Sequence, residues 1–364
     1  MSEFKASGFR DEFGSGGPDL VGITTMTSPY YFVPPSGSTA ERPSSPPPGM
    51  LRFNTDIGRL EVWRNNHWAT ITGEPSSPLG GRGVSAGGKV SPAWVNTMEY
   101  ITIATTGDSI DFGDLTVARG NGFGGCGSAT RGLFGGGGIG SPGSATFYNV
   151  IDFITISTLG NATDFGDRTV TRQEMNGLSD ATRGVWGGGE PATNIIDFVT
   201  IASTGNASDF GDLFSGRYGV DSLAGRTRGL FTGGSNNNIM EYITIQSTGS
   251  AIDFGDMNVG RRSGGDGLSN SVRGLIGGGF PSTATIDYIQ IATTGNAQDF
   301  GDLTSASYHN RAVNDANRGV WVGRQSGNTI QFVTISTLGD AQDFGDIITS
   351  RVQGGAVSNA HGGL

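Results

Sequence analysis

The chain has 364 residues, 64 of them glycine; only 15% are charged, 35% are hydrophobic, and the formal charge is −10. Glycine at that density is costly inside helices and permissive in tight turns, so the composition argues against a helical protein but leaves enough apolar residues for a core. An acidic balance, one cysteine (Cys126) and three scattered histidines (His67, His309, His361) argue against nucleic-acid binding, a disulfide framework and a zinc site.

The opening residues, "MSEFKASGFRDEFG", are partly acidic and lack an apolar run, so no secretory signal is expected, and no stretch approaches the ~18 apolar residues of a membrane span. Residues 1–48 read as an extended, Pro-rich tail, with "PPSGSTAERPSSPPPG" at 34–49 as its semi-rigid part. Ahead of it, Tyr30, Tyr31 and Phe32 are candidates for a peptide that orders on a partner. Residues 49–72 alternate apolar and polar side chains around two turn signals, which predicts a small β-meander with Leu51, Phe53, Leu60, Val62 and Trp68 facing inward. A linker at 73–80 follows.

From residue 81 the chain repeats. "DFGD" begins at 111, 164, 209, 253, 299 and 343, with spacings of 53, 45, 44, 46 and 44 residues. Self-similarity in this range marks propellers or solenoids. Each copy opens on a strand such as "RGLFGGG" (from Arg131), continues with an alternating strand such as "IDFITI" (151–156), and closes on a turn, "DFGD" and a run usually ending in Arg. Shared among six copies, residues 81–364 give about 47 residues each, the size of a four-stranded blade. The first copy lacks the small-residue strand that precedes the "RG" strand in the others, and "RVQGGAVSNAHGGL" at the C-terminus supplies one. The expected fold is therefore all-β: a six-bladed β-propeller over 81–364, closed by the C-terminal strand, preceded by the meander and the tail.

The spelling "DFG" is also that of a kinase magnesium motif, but the chain lacks a nucleotide loop, a strand lysine and a catalytic loop of that kind, and six copies make no sense in one site. The structural reading makes Phe112, Phe165, Phe210, Phe254, Phe300 and Phe344 wedges between blades. The glycine permits a bend, and the aspartates serve turns or pair with the repeat-phased arginines. Calcium between the paired aspartates is the competing reading. No metal, no cofactor and no catalytic residue is expected; a glycan-cleaving site would need two carboxylates in a cleft, and Glu190 and Asp221 are the nearest to that description.

The turns before "DFGD" are nearly constant, whereas the connections after the diglycine and after the pre-strand arginine differ from copy to copy. In a four-stranded blade those two connections share one face. Rigid scaffolds carry their binding residues on such loops, so Trp94, Phe147, Tyr148, Tyr218, Phe280, Tyr308 and His309 are the candidates for contacting a receptor.

The repeats resemble the kelch family in their Arg-to-diglycine segment and in the aromatic of the third strand (Tyr100, Phe153, Phe198, Tyr242, Tyr288 and Phe332), although phenylalanine stands where kelch repeats place tryptophan. Both parts of the chain, "RFNTDIGRLEVW" with its "AERPSSPPPG" linker and the "DYIQIATTGNAQDFGD" repeats, also resemble virion structural and tail-fibre proteins of tailed bacteriophages, particularly those of cyanobacteria. That resemblance implies a non-enzymatic virion protein in several copies per particle, with self-association as a further expectation. Its N-terminal region would hold other virion proteins and its propeller would face a host-surface glycan or protein. The alternative it leaves open is a capsid decoration, neck or baseplate component that touches only virion proteins.

Overall fold

A computed structural model describes residues 34–64, 66–70, 81–140, 144–262, 267–324 and 327–364. Tyr30, Tyr31, Phe32 and the 73–80 linker lie outside them. The chain divides into two compact units, Met1–Pro75 and Ser76–Leu364. Among the described residues both are built of strands, with one short 3-10 turn at Thr39–Glu41 and no α-helix.

The first unit takes in more of the chain than the predicted meander. Leu51–Asn54, Arg59–Arg64 and His67–Thr70 form the antiparallel meander, and Ser36–Gly37 from the Pro-rich stretch adds a parallel edge strand. Its inward face is the polar one: Arg52, Asn54 and Glu61 are buried, whereas Leu51, Phe53, Leu60 and Val62 are half-buried. The reason lies in residues 38–42. Arg42 donates to Glu61, and Arg52 donates to the carbonyl of Ser38 at 3.0 Å, so this segment covers the polar side of the sheet. Arg42 holds the Glu61 carboxyl below its ordinary range against the opposing effect of burial.

The second unit contains six four-stranded antiparallel sheets, one per repeat. Sheet 2 is representative: Gly124–Gly127, Arg131–Gly135, Val150–Thr155 and Thr163–Asp167 pair in chain order. Sheet 1 draws its first strand from the C-terminus, where Gly355–Ser358 pairs antiparallel with Arg82–Ala86. Six hydrophobic clusters fill the junctions between sheets. Each joins the phenylalanine of one "DFGD" to the third strand of the following sheet: Phe165 to Val199 and Ile201, for example, and Phe344 of sheet 6 to Ile101 and Ile103 of sheet 1. These six phenylalanines are 2–3% exposed.

The "DFG" glycine is required by a backbone contact. Gly211 has φ +145°, and a Cβ there would lie 2.5 Å from the backbone of Gly249 in the next sheet; the other five copies repeat this collision, Gly345 meeting Gly107. The close approach lets the outer strand clasp the neighbouring turn. Gly160, Gly205, Gly249, Gly295 and Gly339 donate their N–H groups to Phe112, Phe165, Phe210, Phe254 and Phe300, and Gly107 donates to Phe344.

Among the described residues the arginines do not pair with the "DFGD" aspartates, which stay at the surface. The pre-strand arginines instead reach the acid of the third strand of their own sheet: Arg119 to Asp152, Arg172 to Asp197, Arg217 to Glu241, Arg261 to Asp287 and Arg351 to Glu99, at 2.7–3.5 Å and almost fully buried. Burial pulls the Arg172 guanidinium down to about 9, helped by Arg168 and opposed by Asp197. In sheet 6 both partners are neutral at once, Ser307 and Gln331. A lone charge in that position would be buried without compensation, so losing both together is the tolerable change.

The arginines of the "RG" pairs do a second job. Each guanidinium lies 4.2–4.9 Å from the centroid of its own third-strand aromatic and donates to an isoleucine carbonyl of the following sheet, as Arg131 does to Ile201 and Arg318 to Ile103.

Candidate ligand-binding basin

The variable connections meet at one end of the second unit. In sheets 1 to 5 the glycine run that follows the second strand donates to the carbonyl of the next pre-strand residue, as Gly137 does to Arg172, Gly189 to Arg217 and Gly279 to Ser307. Isolated antiparallel bridges join the same glycine-run loops to the pre-strand loop of their own sheet, at Gly120 and Gly138, Gln173 and Glu190, and Arg262 and Phe280. Loops that differ in sequence are therefore held by a backbone scheme that does not.

In five of the six sheets the residue two places after the pre-strand position turns the chain sharply. Asn121, Glu174, His309 and Gln353 have φ between +49° and +60°, and sheet 4 has Gly219 there at +65°. Neighbouring turns bond to one another: Glu174 donates its N–H to Asn121, Gly219 to Glu174, and Gly122 to Gln353. Asn121, Glu174, His309 and Gln353 thereby line the same depression, which includes two adjoining cavities of about 230 Å3 sharing Glu174 and Arg262.

Its wall is an aromatic and cationic array from four loops. Arg262 donates to the Tyr218 hydroxyl at 2.5 Å and lies 5.1 Å from the Tyr218 ring and 4.9 Å from the Phe280 ring. Phe280 meets Tyr308 edge-on at 5.5 Å, and Tyr308 lies 4.8 Å from His309. Four of the seven predicted contact residues are thus together. The other three are elsewhere: Trp94 packs over Gly120 with Lys89 5.3 Å from its ring, Phe147 belongs to the hairpin of Gly138–Ile139 and Thr146–Phe147, and Tyr148 bonds back to Gly137.

Two residues that unify the basin, Arg262 and Glu174, were absent from the sequence-based set. Both sit in the pre-strand connections ("RQEM", "RRSG"), so the signal was their repeat position rather than their type. Asp221, by contrast, is buried in the first strand of sheet 4, Val220–Ala224, and is no loop carboxylate.

Burial pushes the Glu174 carboxyl up to about 7, with Glu190 adding to the effect and Arg262 and Arg311 opposing it. Burial likewise pushes His309 down to about 3, with Arg311 and Arg262 contributing. At neutral pH the basin therefore presents a neutral imidazole, a carboxyl near its midpoint, a second acid and two guanidiniums. Glu190 accepts a hydrogen bond from Gln173. Among the described residues, no three His, Cys, Asp or Glu side chains are grouped to hold a metal ion.

The opposite end of the first strands is closed by the C-terminal residues. Ser222 donates to Gly177, Ser269 to Ala224, Asn314 to Ser269 and Ser358 to Asn314, knitting neighbouring first strands together. Gly127 has no side chain to continue this series. His361 enters there, its Nε2 2.8 Å from the Gly127 carbonyl and 3.2 Å from Ser179 Oγ. The basin thus lies at the end away from this plug.

No known family model matches the chain, and no curated protein sequence matches it.

Proposed function

We propose that residues 81–364 form a six-bladed propeller and that the protein is a tailed-phage virion component, a tail fibre or appendage, that presents the basin to the surface of a host cell. The propeller reading is supported by the clasp that recurs from each sheet to the next and from sheet 6 back to sheet 1. The virion setting is supported by the resemblance of the small N-terminal module and the repeats to phage structural proteins. The observation that carries a binding role is the convergence of unlike loops on one basin, while the turns outside it repeat a single pattern. Many copies on one particle would convert a modest single-site affinity into firm attachment.

The test is retention of labelled full-length protein on cells of candidate host strains. Retention that Arg262→Ala abolishes supports the reading; retention by no strain, with the protein folded, overturns it. One feature favours a second reading, an internal virion component. Val117, Val170 and Val259 are exposed at matching positions after "DFGD", and Phe214 and Ile348 are exposed one residue earlier in their copies, an apolar series suited to lateral contact with other virion proteins. Labelled protein that binds purified particles but no cells would favour it.

A further inference from the structure

We propose that the ligand of the basin is a saccharide, held by polar side chains at the strained turn positions and by the aromatic wall formed by Tyr218, Phe280 and Tyr308. This rests on the surface-binding reading and narrows it to one chemistry.

The first support is the backbone itself. Left-handed φ is uncomfortable for residues with a Cβ and costs glycine nothing. Sheet 4 shows that glycine serves at this position, as Gly219, with the same neighbour-to-neighbour hydrogen bonding. Yet three other copies place long or branched polar residues there: Glu174, His309 and Gln353. Their side chains line the cavities. Strain retained where an unstrained residue fits is accounted for by what the side chain does, and here the side chains offer amide, carboxyl and imidazole groups to the basin.

The second support is the combination of groups. Planar carboxyl and amide groups can bond two neighbouring hydroxyls at once, and aromatic faces accept the C–H side of a sugar ring. Arg262, fixed between Tyr218 and Phe280, keeps that wall rigid. A polyanion fits poorly, because Glu174 and Glu190 face it and the chain carries −10. A peptide anchored by apolar side chains finds few apolar groups beyond the three rings.

The test has two arms, both with the full chain. In the first, cells that retain the labelled protein are treated with periodate, which cleaves vicinal diols, or with protease. Loss of retention after periodate but not protease is expected; loss after protease alone overturns the saccharide while leaving surface binding intact. In the second, the protein is applied to immobilised bacterial lipopolysaccharides and capsular polysaccharides, as wild type, Gln353→Gly and Glu174→Gly. Binding by the wild type, at least tenfold weaker in both variants although their melting temperatures are unchanged or higher, is expected. Binding that survives both glycine variants undiminished overturns the assignment of these residues. Glycan binding without retention on any cell would defeat the surface-binding reading but not this one, whereas failure in both arms defeats both.

Discussion

Replacing Arg261 by serine should be far more damaging alone than in company with Asp287→Gln. Asp287 is fully buried, with Arg261 at 2.7 Å and the Asn258 amide at 2.6 Å. Arg261 also donates to the carbonyls of Ile276 and Thr285. Its removal leaves a buried carboxylate with one amide donor, and breaking such a pair costs about 3–5 kcal/mol. The double variant reproduces what sheet 6 already contains. There the Gln331 amide oxygen accepts from both the N–H and the hydroxyl of Thr304, at 2.8 and 2.9 Å, and Asn310 donates to Ser307. Its cost should fall to about 1–2 kcal/mol, the residue of lost arginine packing and two unsatisfied carbonyls. Urea denaturation of the wild type, both single variants and the double variant closes the cycle. A coupling of at least about 2 kcal/mol is expected from these figures. A double variant whose loss equals the sum of the single losses would refute the idea that the charges are tolerated only as a pair.

Three further outcomes follow from the same structure. Glu174→Gln should stabilise the protein above pH 7: folding raises this carboxyl from its ordinary value to about 7, so its contribution is complete below the unfolded value and is lost as pH rises through 7. The gain should approach about 3 kcal/mol at pH 8 and vanish near pH 4, as read by urea titration at both pH values. Gly211→Ala should cost about 3 kcal/mol or more, since it combines an unfavourable φ with a backbone collision, and thermal unfolding will show it. Truncation after Arg351 removes the first strand of sheet 1 and the His361 plug, and should sharply lower the melting temperature; an unchanged value would mean that the C-terminal strand does not complete sheet 1.

Much of the fold was legible because the repeat sets the strand order. The period placed each "DFGD" phenylalanine at an equivalent position, and the missing first strand of the first copy pointed to residues 355–358. Arginine partners were misread because composition and phase give no distances: twelve aspartates in "DFGD" were conspicuous, while the true partners were single acids in the third strand. The paired departure of Ser307 and Gln331 was the available clue, since neutralising both is what a buried ion pair would demand. The polar inward face of the first unit could not be read from alternation, because it depends on a Pro-rich segment folding back to supply Arg42. The basin was half legible. Its aromatics stand out by type, but Arg262 and Glu174 acquire their meaning only when loops from separate repeats are brought to one place.

The sixth sheet clasps the first as each other sheet clasps its successor. Native-state hydrogen exchange tests it at single amides: Gly107 and Ser109 donate to Phe344 and Asp346 across that junction, as Gly205 and Ala207 donate to Phe165 and Asp167 within the array. A closed arrangement predicts that the two pairs exchange with comparable protection. Rapid exchange at Gly107 and Ser109, with Gly205 and Ala207 protected, would show an open array and contradict the account.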